Sequence, residues 1–296
     1  MNQLAAQEGS RFVVIGNPVA HSMSPAIHSD FANQVGLPLQ YMRLLAPTDG
    51  FAATVRALQA AGVRGANVTV PFKLQAFDLA SHASEGARFA QAANTLRFSP
   101  DGAIEADNTD GGGLCYDLQR LLSPLHLRLE QCQVLLLGAG GAAAGCVAAF
   151  RACGVQHLTV LNRTSAKARA LAERAEAMEL PAAGGGLDHA PADFDLPPAP
   201  LLIVNASSSS LQGDVPGIHA QWWGRAVLAY DMMYAPSDTP FMRAARVRMS
   251  PGVVVADGLG MLVFQAQLAF QWWTGHSPDG ELTLRRVRAQ LLAKAR

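Results

Sequence analysis

A strand pattern that runs directly into a glycine turn reads Gln133-Val134-Leu135-Leu136-Leu137-Gly138-Ala139-Gly140-Gly141-Ala142-Ala143. This run fits the G-x-G-x-x-G/A pattern at the start of a helix. The first glycine permits the tight turn, and the second lets the backbone approach a pyrophosphate, which the helix N-terminus stabilises through its N–H groups and dipole. The run therefore predicts a dinucleotide-binding unit, with a purely structural turn as the alternative. The predicted cofactor-binding residues are Gly138, Ala139, Gly140, Gly141 and Ala142.

The next strand predicts which dinucleotide is bound. An NAD site places an acidic side chain about 20 residues beyond the glycines, where it accepts hydrogen bonds from the ribose hydroxyls. Here the strand instead ends in Asn162-Arg163-Thr164, and Lys167 follows. Arg163 can stack on the adenine and pair with a 2′-phosphate, while Thr164 donates a hydrogen bond and Lys167 adds charge. We expect NADP; the alternative is a capped helix start with a solvated arginine and lysine.

Strand-like and helical patterns alternate along the chain, which favours a parallel α/β architecture. The strand-like runs are residues 12–15, 40–45, 66–70, 134–137, 158–161, 201–205, 227–230 and 253–256. The first helix has the clearest boundaries. Ser24 is its predicted N-cap, Pro25 its first residue and Gly36 the residue just past its end.

The composition argues against several classes of partner. Equal numbers of acidic and basic residues give a formal net charge of +0, so no basic surface is expected for nucleic acid or an anionic membrane. The N-terminus has no apolar segment of the signal-peptide type, and residues 134–150, although uncharged, are interrupted by glycines. Four cysteines without paired spacing indicate neither a zinc site nor a disulfide framework. We expect a cytoplasmic protein with a small-molecule ligand.

Lys73 is one of three lysines in a chain with 20 arginines, and it ends the run Asn67-Val68-Thr69-Val70-Pro71-Phe72-Lys73. A lysine ammonium can be tuned to exchange its proton, whereas an arginine stays protonated. Thr69 and Lys73 would lie at the carboxyl edge of a parallel sheet, where open α/β sheets bind ligands. Lys73 with Asp110 suits a secondary alcohol, because one group positions the hydroxyl while the other exchanges its proton. The alternatives are an ordinary surface lysine and a helix-capping aspartate.

Short polar side chains add to this predicted site. Ser22 and Ser24 follow the first strand, and their hydroxyls could grip a carboxylate, a role compatible with helix capping by Ser24. His21 and His28 do not indicate a metal site, because no acid or cysteine completes a ligand shell. No metal is predicted.

Eight motifs, in order and over almost the whole chain, resemble those of the shikimate dehydrogenase family. They are His21-Ser22-Met23-Ser24-Pro25, Ala66-Asn67-Val68-Thr69-Val70-Pro71-Phe72-Lys73, Asn94-Thr95, Asp107-Asn108-Thr109-Asp110-Gly111, Gly138-Ala139-Gly140-Gly141-Ala142, Asn162-Arg163-Thr164, Asp231-Met232-Met233-Tyr234, and Ala256-Asp257-Gly258-Leu259-Gly260-Met261-Leu262 with Gln265. The resemblance implies reversible, NADP-linked reduction of 3-dehydroshikimate to shikimate, a step of aromatic amino-acid and chorismate biosynthesis. It also implies an α/β fold with an N-terminal substrate domain and a Rossmann-like NADP-binding domain.

The resemblance assigns roles by motif. Lys73 would be the catalytic acid/base with Asp110 as its partner. The substrate would contact Ser22 and Ser24 through its carboxylate, and Thr69, Asn94, Tyr234 and Gln265 around its ring. Met232, Gly258 and Met261 would lie beside the nicotinamide.

Domain boundaries are predicted at two glycine-containing segments. A chain of 296 residues is long enough for two domains that each bury a core. We predict a substrate domain at residues 1–111, completed by residues 251–296, and an NADP-binding domain at residues 112–250. The return of the C-terminal segment rests on the family resemblance.

Two positions depart from the family pattern, and two other functions stay open. Ala144 stands where many relatives carry arginine, and Ser210 stands where many carry glycine. One alternative is a quinate/shikimate dehydrogenase that also uses NAD; the other is a catalytically silent protein that binds NADP or a metabolite. Both a monomer and a homodimer are compatible with the sequence.

Overall fold

The structure is a computed structural model that describes residues 10–207, 209 and 213–293. These residues divide into two compact units. The first unit contains the described residues up to Gly113 together with Val263–Val287, and the second contains Leu114–Leu262 and the described residues from Arg288 onward. The chain passes from one unit to the other at three points, and each point lies within a helix.

The first unit is built on a mixed, six-stranded sheet. Its strands are β1 (Ser10–Gly16), β2 (Leu39–Leu45), β3 (Gly65–Val68), β4 (His82–Ala83), β5 (Thr95–Phe98) and β6 (Ile104–Asp107). They lie in the order β2-β1-β3-β5-β6-β4. β1 pairs in parallel with β2 and β3, whereas β5 is antiparallel to β3 and β6. The loops that follow β1 and β3 therefore leave the sheet at the same edge.

The first five helices of the described chain begin in the first unit. They are α1 (Ser24–Val35), α2 (Phe51–Ala60), α3 (Lys73–Asp78), α4 (Glu85–Ala90) and α5 (Asp110–Leu122). The prediction that Ser24 is the N-cap of α1 was wrong by one position, because Met23 is the N-cap and Ser24 is the first helical residue. The side chain of Met23 does not cap this helix start, and Gly36 ends the helix with a φ of 66°.

The second unit contains a six-stranded, all-parallel sheet. Its strands are β7 (Gln133–Leu137), β8 (His157–Leu161), β9 (Ala182–Gly185), β10 (Leu201–Asn205), β11 (Ala226–Asp231) and β12 (Val254–Asp257), in the order β12-β11-β10-β7-β8-β9. The chain moves outward from β7 to β9, returns to the other side of β7 with β10, and continues to β12. The strand order thus reverses between β7 and β10, the kind of switch point where open α/β sheets bind ligands.

Helices follow most strands of this sheet. They are α6 (Gly141–Ala152), α7 (Ser165–Glu176), α8 (Ala220–Arg225) and α9 (Pro240–Arg248), followed by α10 (Leu259–Thr274) and α11 (Gly280–Ala293). The predicted two-domain α/β fold with a Rossmann-like second unit is confirmed. β12 pairs with β11, however, so the second sheet extends beyond residue 250, where the sequence placed the boundary.

The core of the second unit is apolar. Strands β7, β8 and β10 are buried along their whole length, as expected for parallel strands with helices on both faces. Trp222 and Trp223 pack with Phe241 in this core, which accounts for the tryptophan pair. Among the described residues, no helix has the length and apolar character needed to cross a membrane.

Candidate active site

Lys73 and Asp110 form an ion pair in the first unit. Lys73 is the first residue of α3, and Asp110 is the first residue of α5. Lys73 Nζ donates a hydrogen bond to Asp110 Oδ2 over 2.5 Å. The two side chains are 31% and 15% exposed, so a small molecule can reach a pair that is largely withdrawn from bulk water.

Asn94 connects this pair to Gln265 on α10. Its Nδ2 lies 2.8 Å from Asp110 Oδ1 and 3.1 Å from Gln265 Oε1. Its Oδ1 accepts a hydrogen bond of 2.9 Å from the backbone N–H of Thr109. Both amide side chains are buried, at 3% and 8% exposure. The structure therefore brings Lys73, Asp110, Asn94 and Gln265 into one hydrogen-bonded cluster.

Ser22 and Ser24 form a second polar group after β1. Ser22 Oγ donates to Ser24 Oγ over 3.2 Å, and two guanidinium nitrogens of Arg43 bind the Ser22 carbonyl at 2.6 and 2.9 Å. The Ser24 N–H binds Ser22 Oγ at 3.3 Å, and because Ser24 is the first helical residue rather than the N-cap, its hydroxyl does not cap α1. The two hydroxyl groups predicted to bind a carboxylate are thus neighbours at the start of α1.

Thr69 lies between these two groups along the chain, directly after β3. Its backbone N–H binds the Ile15 carbonyl at 2.9 Å, and the Asn17 N–H binds the Val70 carbonyl at 3.0 Å. These bonds join the loop after β1 to the loop after β3. The segments that carry Ser22, Thr69 and Lys73 therefore leave the same edge of the sheet.

A buried polar layer lies behind this edge, and the sequence did not assign it to the site. Asn67 Oδ1 accepts hydrogen bonds from the Tyr41 hydroxyl at 2.6 Å and from His28 Nε2 at 3.1 Å. Asn67 Nδ2 in turn donates to Thr95 Oγ1 at 3.1 Å. Asn67 could have been assigned to the site from the sequence, because it begins the run that ends in Lys73.

His28 is part of this layer and is fully buried. Its ring stacks on Tyr41 with centroids 4.2 Å apart, and burial lowers its pKa to about 3, although the hydrogen bond that it donates to Asn67 acts in the opposite direction. His28 is thus a neutral ring that donates through Nε2. Within the part of the chain that the structure describes, no three His, Cys, Asp or Glu side chains could hold a metal ion.

In the second unit, the glycine turn after β7 has the geometry of a phosphate site. Gly138 has a φ of 108°, and a Cβ there would lie 3.1 Å from the Ser207 nitrogen. A Cβ on Gly140 or Gly141 would meet no described atom within 4 Å, so the backbone faces open space at the start of α6. Among the described residues, no side chain caps α6, so none of them occupies its first N–H groups, which could bind an anion. Ala139 and Ala142 flank the turn.

The tip of β8 presents donors to the same edge of the sheet. Arg163, Thr164 and Lys167 are exposed, and neither cation forms an ion pair with a described residue. Thr164 is the N-cap of α7, but its hydroxyl does not cap the helix. Asn162 Nδ2 binds the Thr164 carbonyl at 3.1 Å and so fixes the turn that carries these residues. Ala144 is buried on α6, and Ser210 lies outside the described residues.

Met232, Gly258 and Met261 lie at the carboxyl ends of β11 and β12. Gly258 packs directly on Met232, since a Cβ on Gly258 would overlap the Met232 carbonyl oxygen. The Gly258 N–H binds the Met233 carbonyl at 3.0 Å. Tyr234 follows three residues after β11 and is half-buried; burial, with Asp257 nearby, raises its pKa.

Three family models match successive parts of the chain. Residues 14–96 match the shikimate dehydrogenase substrate binding domain, residues 120–184 match shikimate / quinate 5-dehydrogenase, and residues 258–291 match the shikimate 5'-dehydrogenase C-terminal domain. A shikimate dehydrogenase (NADP(+)) of Cupriavidus taiwanensis is 48% identical over 289 residues, which cover 96% of this chain and 95% of that protein. The chain belongs to the shikimate dehydrogenase family. The resemblance seen in its motifs is therefore confirmed.

Solved structures of similar proteins cover the same length. An Ael1 enzyme from Pseudomonas putida is 40% identical with a TM-score of 0.82, over 95% of this chain and 98% of that one. A shikimate 5-dehydrogenase from Thermus thermophilus, in complex with NADP(H) and shikimate, is 31% identical with a TM-score of 0.75. That match covers 95% of this chain and 100% of the other.

Proposed function

We propose that this protein catalyses the reversible, NADPH-dependent reduction of 3-dehydroshikimate to shikimate. The observation that carries the proposal is the Lys73–Asp110 ion pair, joined to Asn94 and Gln265, in a member of the shikimate dehydrogenase family. The first unit supplies the substrate site in this account, and the second supplies the NADP site.

Lys73 and Asp110 act as a proton-exchanging pair. During reduction, Lys73 Nζ donates a proton to the oxygen of the former ketone; during oxidation, the neutral amine accepts the proton of the hydroxyl. Asp110 orients the amine through its 2.5 Å hydrogen bond, while the amide of Asn94 holds the other carboxylate oxygen at 2.8 Å. NADPH, when bound, supplies the hydride, and NADP accepts it in the reverse direction.

The remaining polar side chains bind and orient the substrate. Ser22 and Ser24 hold its carboxylate through their hydroxyl groups. In the first unit, Thr69, Asn94 and Gln265 bind the ring hydroxyls; Tyr234, in the second unit, stays a predicted substrate contact. Because these groups can donate or accept hydrogen bonds, a substrate that lacks one hydroxyl leaves a buried polar group unpaired and binds less well.

The residues of the second unit fit NADP. The backbone of Gly138–Ala142 and the start of α6 hold the pyrophosphate. Asn162 fixes the turn from which Arg163, Thr164 and Lys167 bind the 2′-phosphate, and Met232, Gly258 and Met261 flank the nicotinamide. A cytoplasmic location and a monomer or homodimer stay predictions.

A spectrophotometric comparison of shikimate and quinate, each with NADP and with NAD, tests the proposal. We expect the highest kcat/KM for shikimate with NADP. Comparable rates with quinate or NAD would favour a quinate/shikimate dehydrogenase, and binding without turnover in all four assays would favour a silent metabolite-binding protein. Both outcomes would contradict the proposed function.

A further inference from the structure

The first turn of α10 carries Met261 and is held by two buried side chains. N–H groups in the first turn of a helix have no partner within the helix. Here the Leu259 N–H binds Asp257 Oδ1 at 3.2 Å, and the Met261 N–H binds the Tyr230 hydroxyl at 3.1 Å. The hydroxyl of a β11 residue thus fixes the backbone of Met261.

Asp117 on α5 determines the direction of the Tyr230 hydroxyl. Tyr230 is fully buried, and its hydroxyl donates to Asp117 Oδ2 over 2.8 Å. With its proton directed at the carboxylate, the hydroxyl oxygen presents a lone pair to the Met261 N–H. Arg120 Nε binds Asp117 Oδ1 at 2.8 Å and neutralises a carboxylate that is only 1% exposed. The chain of hydrogen bonds therefore has one polarity, from Met261 through Tyr230 to Asp117.

Gly260 adds a steric contact to this chain. A Cβ on Gly260 would overlap the Asp117 carboxylate, so the helix start packs directly on that group. Asp257, which binds Leu259, is itself held by the guanidinium of Arg288. Two buried carboxylates near a helix N-terminus also interact favourably with its dipole. The backbone around Met261 is thus held by Tyr230 on one side and, through Leu259, by Asp257 on the other.

We propose that Asp117 and Tyr230 are positioning residues that set the place of the nicotinamide by fixing the segment from Gly258 to Met261. The inference rests on the proposed function, in which Gly258 and Met261 flank that ring. Burying a carboxylate and a phenol costs desolvation free energy that an apolar pair would avoid. A hydrogen-bonded chain, unlike an apolar contact, fixes orientation as well as separation.

The variant Tyr230→Phe tests the inference because it removes only the hydroxyl. Two affinities are compared by titration: that of NADPH, and that of adenosine 2′,5′-bisphosphate, which lacks the nicotinamide half. We expect the affinity for NADPH to fall by about fivefold or more, since one hydrogen bond to an orienting segment is lost, while the affinity for the fragment stays unchanged. We also expect kcat to fall by about tenfold, because hydride transfer depends on the placement of the reacting atoms.

Tyr116→Phe is the matched control, since Tyr116 neighbours Asp117 on α5 and is 53% exposed. Its two affinities and kcat should equal those of the wild type. Asp117→Asn is a second variant of equal size; its amide can donate to the Tyr230 hydroxyl and turn that proton toward Met261. We expect the same selective loss of NADPH affinity in Asp117→Asn. This variant tests the positioning role if Tyr230→Phe does not fold.

Two outcomes would overturn the inference. One is that the variants keep both affinities at the wild-type values; the other is an equal loss of both, which would indicate a merely structural role. The ratio of the two affinities needs no turnover. A wild type that fails to oxidise shikimate would therefore contradict the proposed function alone, while a selective loss in the variants would still support the positioning role.

Discussion

Lys73 Nζ lies 2.5 Å from Asp110 Oδ2, although the two residues are 37 positions apart. Each residue opens a helix, and the second carboxylate oxygen of Asp110 is held by Asn94, so the carboxylate has little freedom to rotate. This arrangement orients the amine while leaving its side chain 31% exposed to an incoming ligand. Lys73 is therefore paired and partly buried, unlike an ordinary surface lysine.

Arg163→Ala should change the choice of cofactor. Loss of a charged hydrogen-bond donor to a 2′-phosphate should raise the Kd of NADP by about tenfold or more and leave the Kd of NAD within about twofold. Titration of the free enzyme with each dinucleotide measures both constants. Arg169→Ala, an exposed change on α7, which begins two residues after Arg163, is the control and should leave both constants unchanged. Parallel weakening of NADP and NAD by Arg163→Ala would refute the 2′-phosphate assignment.

Cys153 should be the most reactive thiol of the chain near neutral pH. A hydrogen bond from the Cys115 thiol lowers the pKa of Cys153 to about 7, whereas burial raises the pKa of Cys132 to about 11. Because the thiolate is the nucleophile, alkylation by iodoacetamide should reach half its maximal rate near pH 7 at Cys153 and stay slow at Cys132. Peptide mass spectrometry at a series of pH values follows both sites.

Cys115→Ala removes the donor and so should move the alkylation midpoint of Cys153 to higher pH. Cys132→Ala is the control and should leave that midpoint in place. Identical pH profiles for Cys153 with and without Cys115 would show that the hydrogen bond does not set this reactivity.

His28 should make the protein less stable in acid. Burial lowers its pKa from 6.5 to about 3 in the folded protein, so between these values only the unfolded chain binds the proton. Its contribution to stability is complete above pH 6.5 and is lost as the pH falls toward 3. In this window, each fall of one pH unit should lower the free energy of unfolding by about 1.4 kcal/mol through this group alone.

Urea unfolding at a series of pH values measures this contribution. His28→Phe keeps an aromatic ring against Tyr41 and should show a shallower dependence on pH, even if its stability at neutral pH is lower. His276→Asn, at an exposed position, should retain the slope of the wild type. An equal slope in wild type and His28→Phe would contradict the neutral, buried state of this histidine.

Local patterns predicted much of the fold and the site. The strand, glycine turn and helix from Gln133 to Ala143 could be predicted because turn geometry and helix start depend on neighbours in sequence. The sheet-edge rule was applied to Thr69 and Lys73, whereas the pairing of Lys73 with Asp110 rested on their chemistry and on the family resemblance. The start of α1 was missed by one residue because a serine before a proline suits both the cap and the first helical position.

Long-range pairing was harder to predict. β12 pairs with β11 and so belongs to the second sheet. No local sequence pattern specifies which strand a given strand pairs with. The link from Asp117 through Tyr230 to Met261 was missed for the same reason: its members lie on three separate elements, and each alone resembles an ordinary helix or strand residue. The sequence does place Asp117 seven residues after Asp110 on the same helix, but this spacing does not identify Tyr230 as its partner.

The kinetic comparison of Lys73→Ala and Lys73→Arg, with shikimate and NADP, tests the central claim most directly. Arginine keeps the charge and can pair with Asp110 but cannot release its proton. The account predicts that both variants lose kcat by about 100-fold or more, with KM changed by no more than about threefold. A Lys73→Arg variant with nearly the kcat of the wild type, or an alanine variant whose entire loss is in KM, would contradict it.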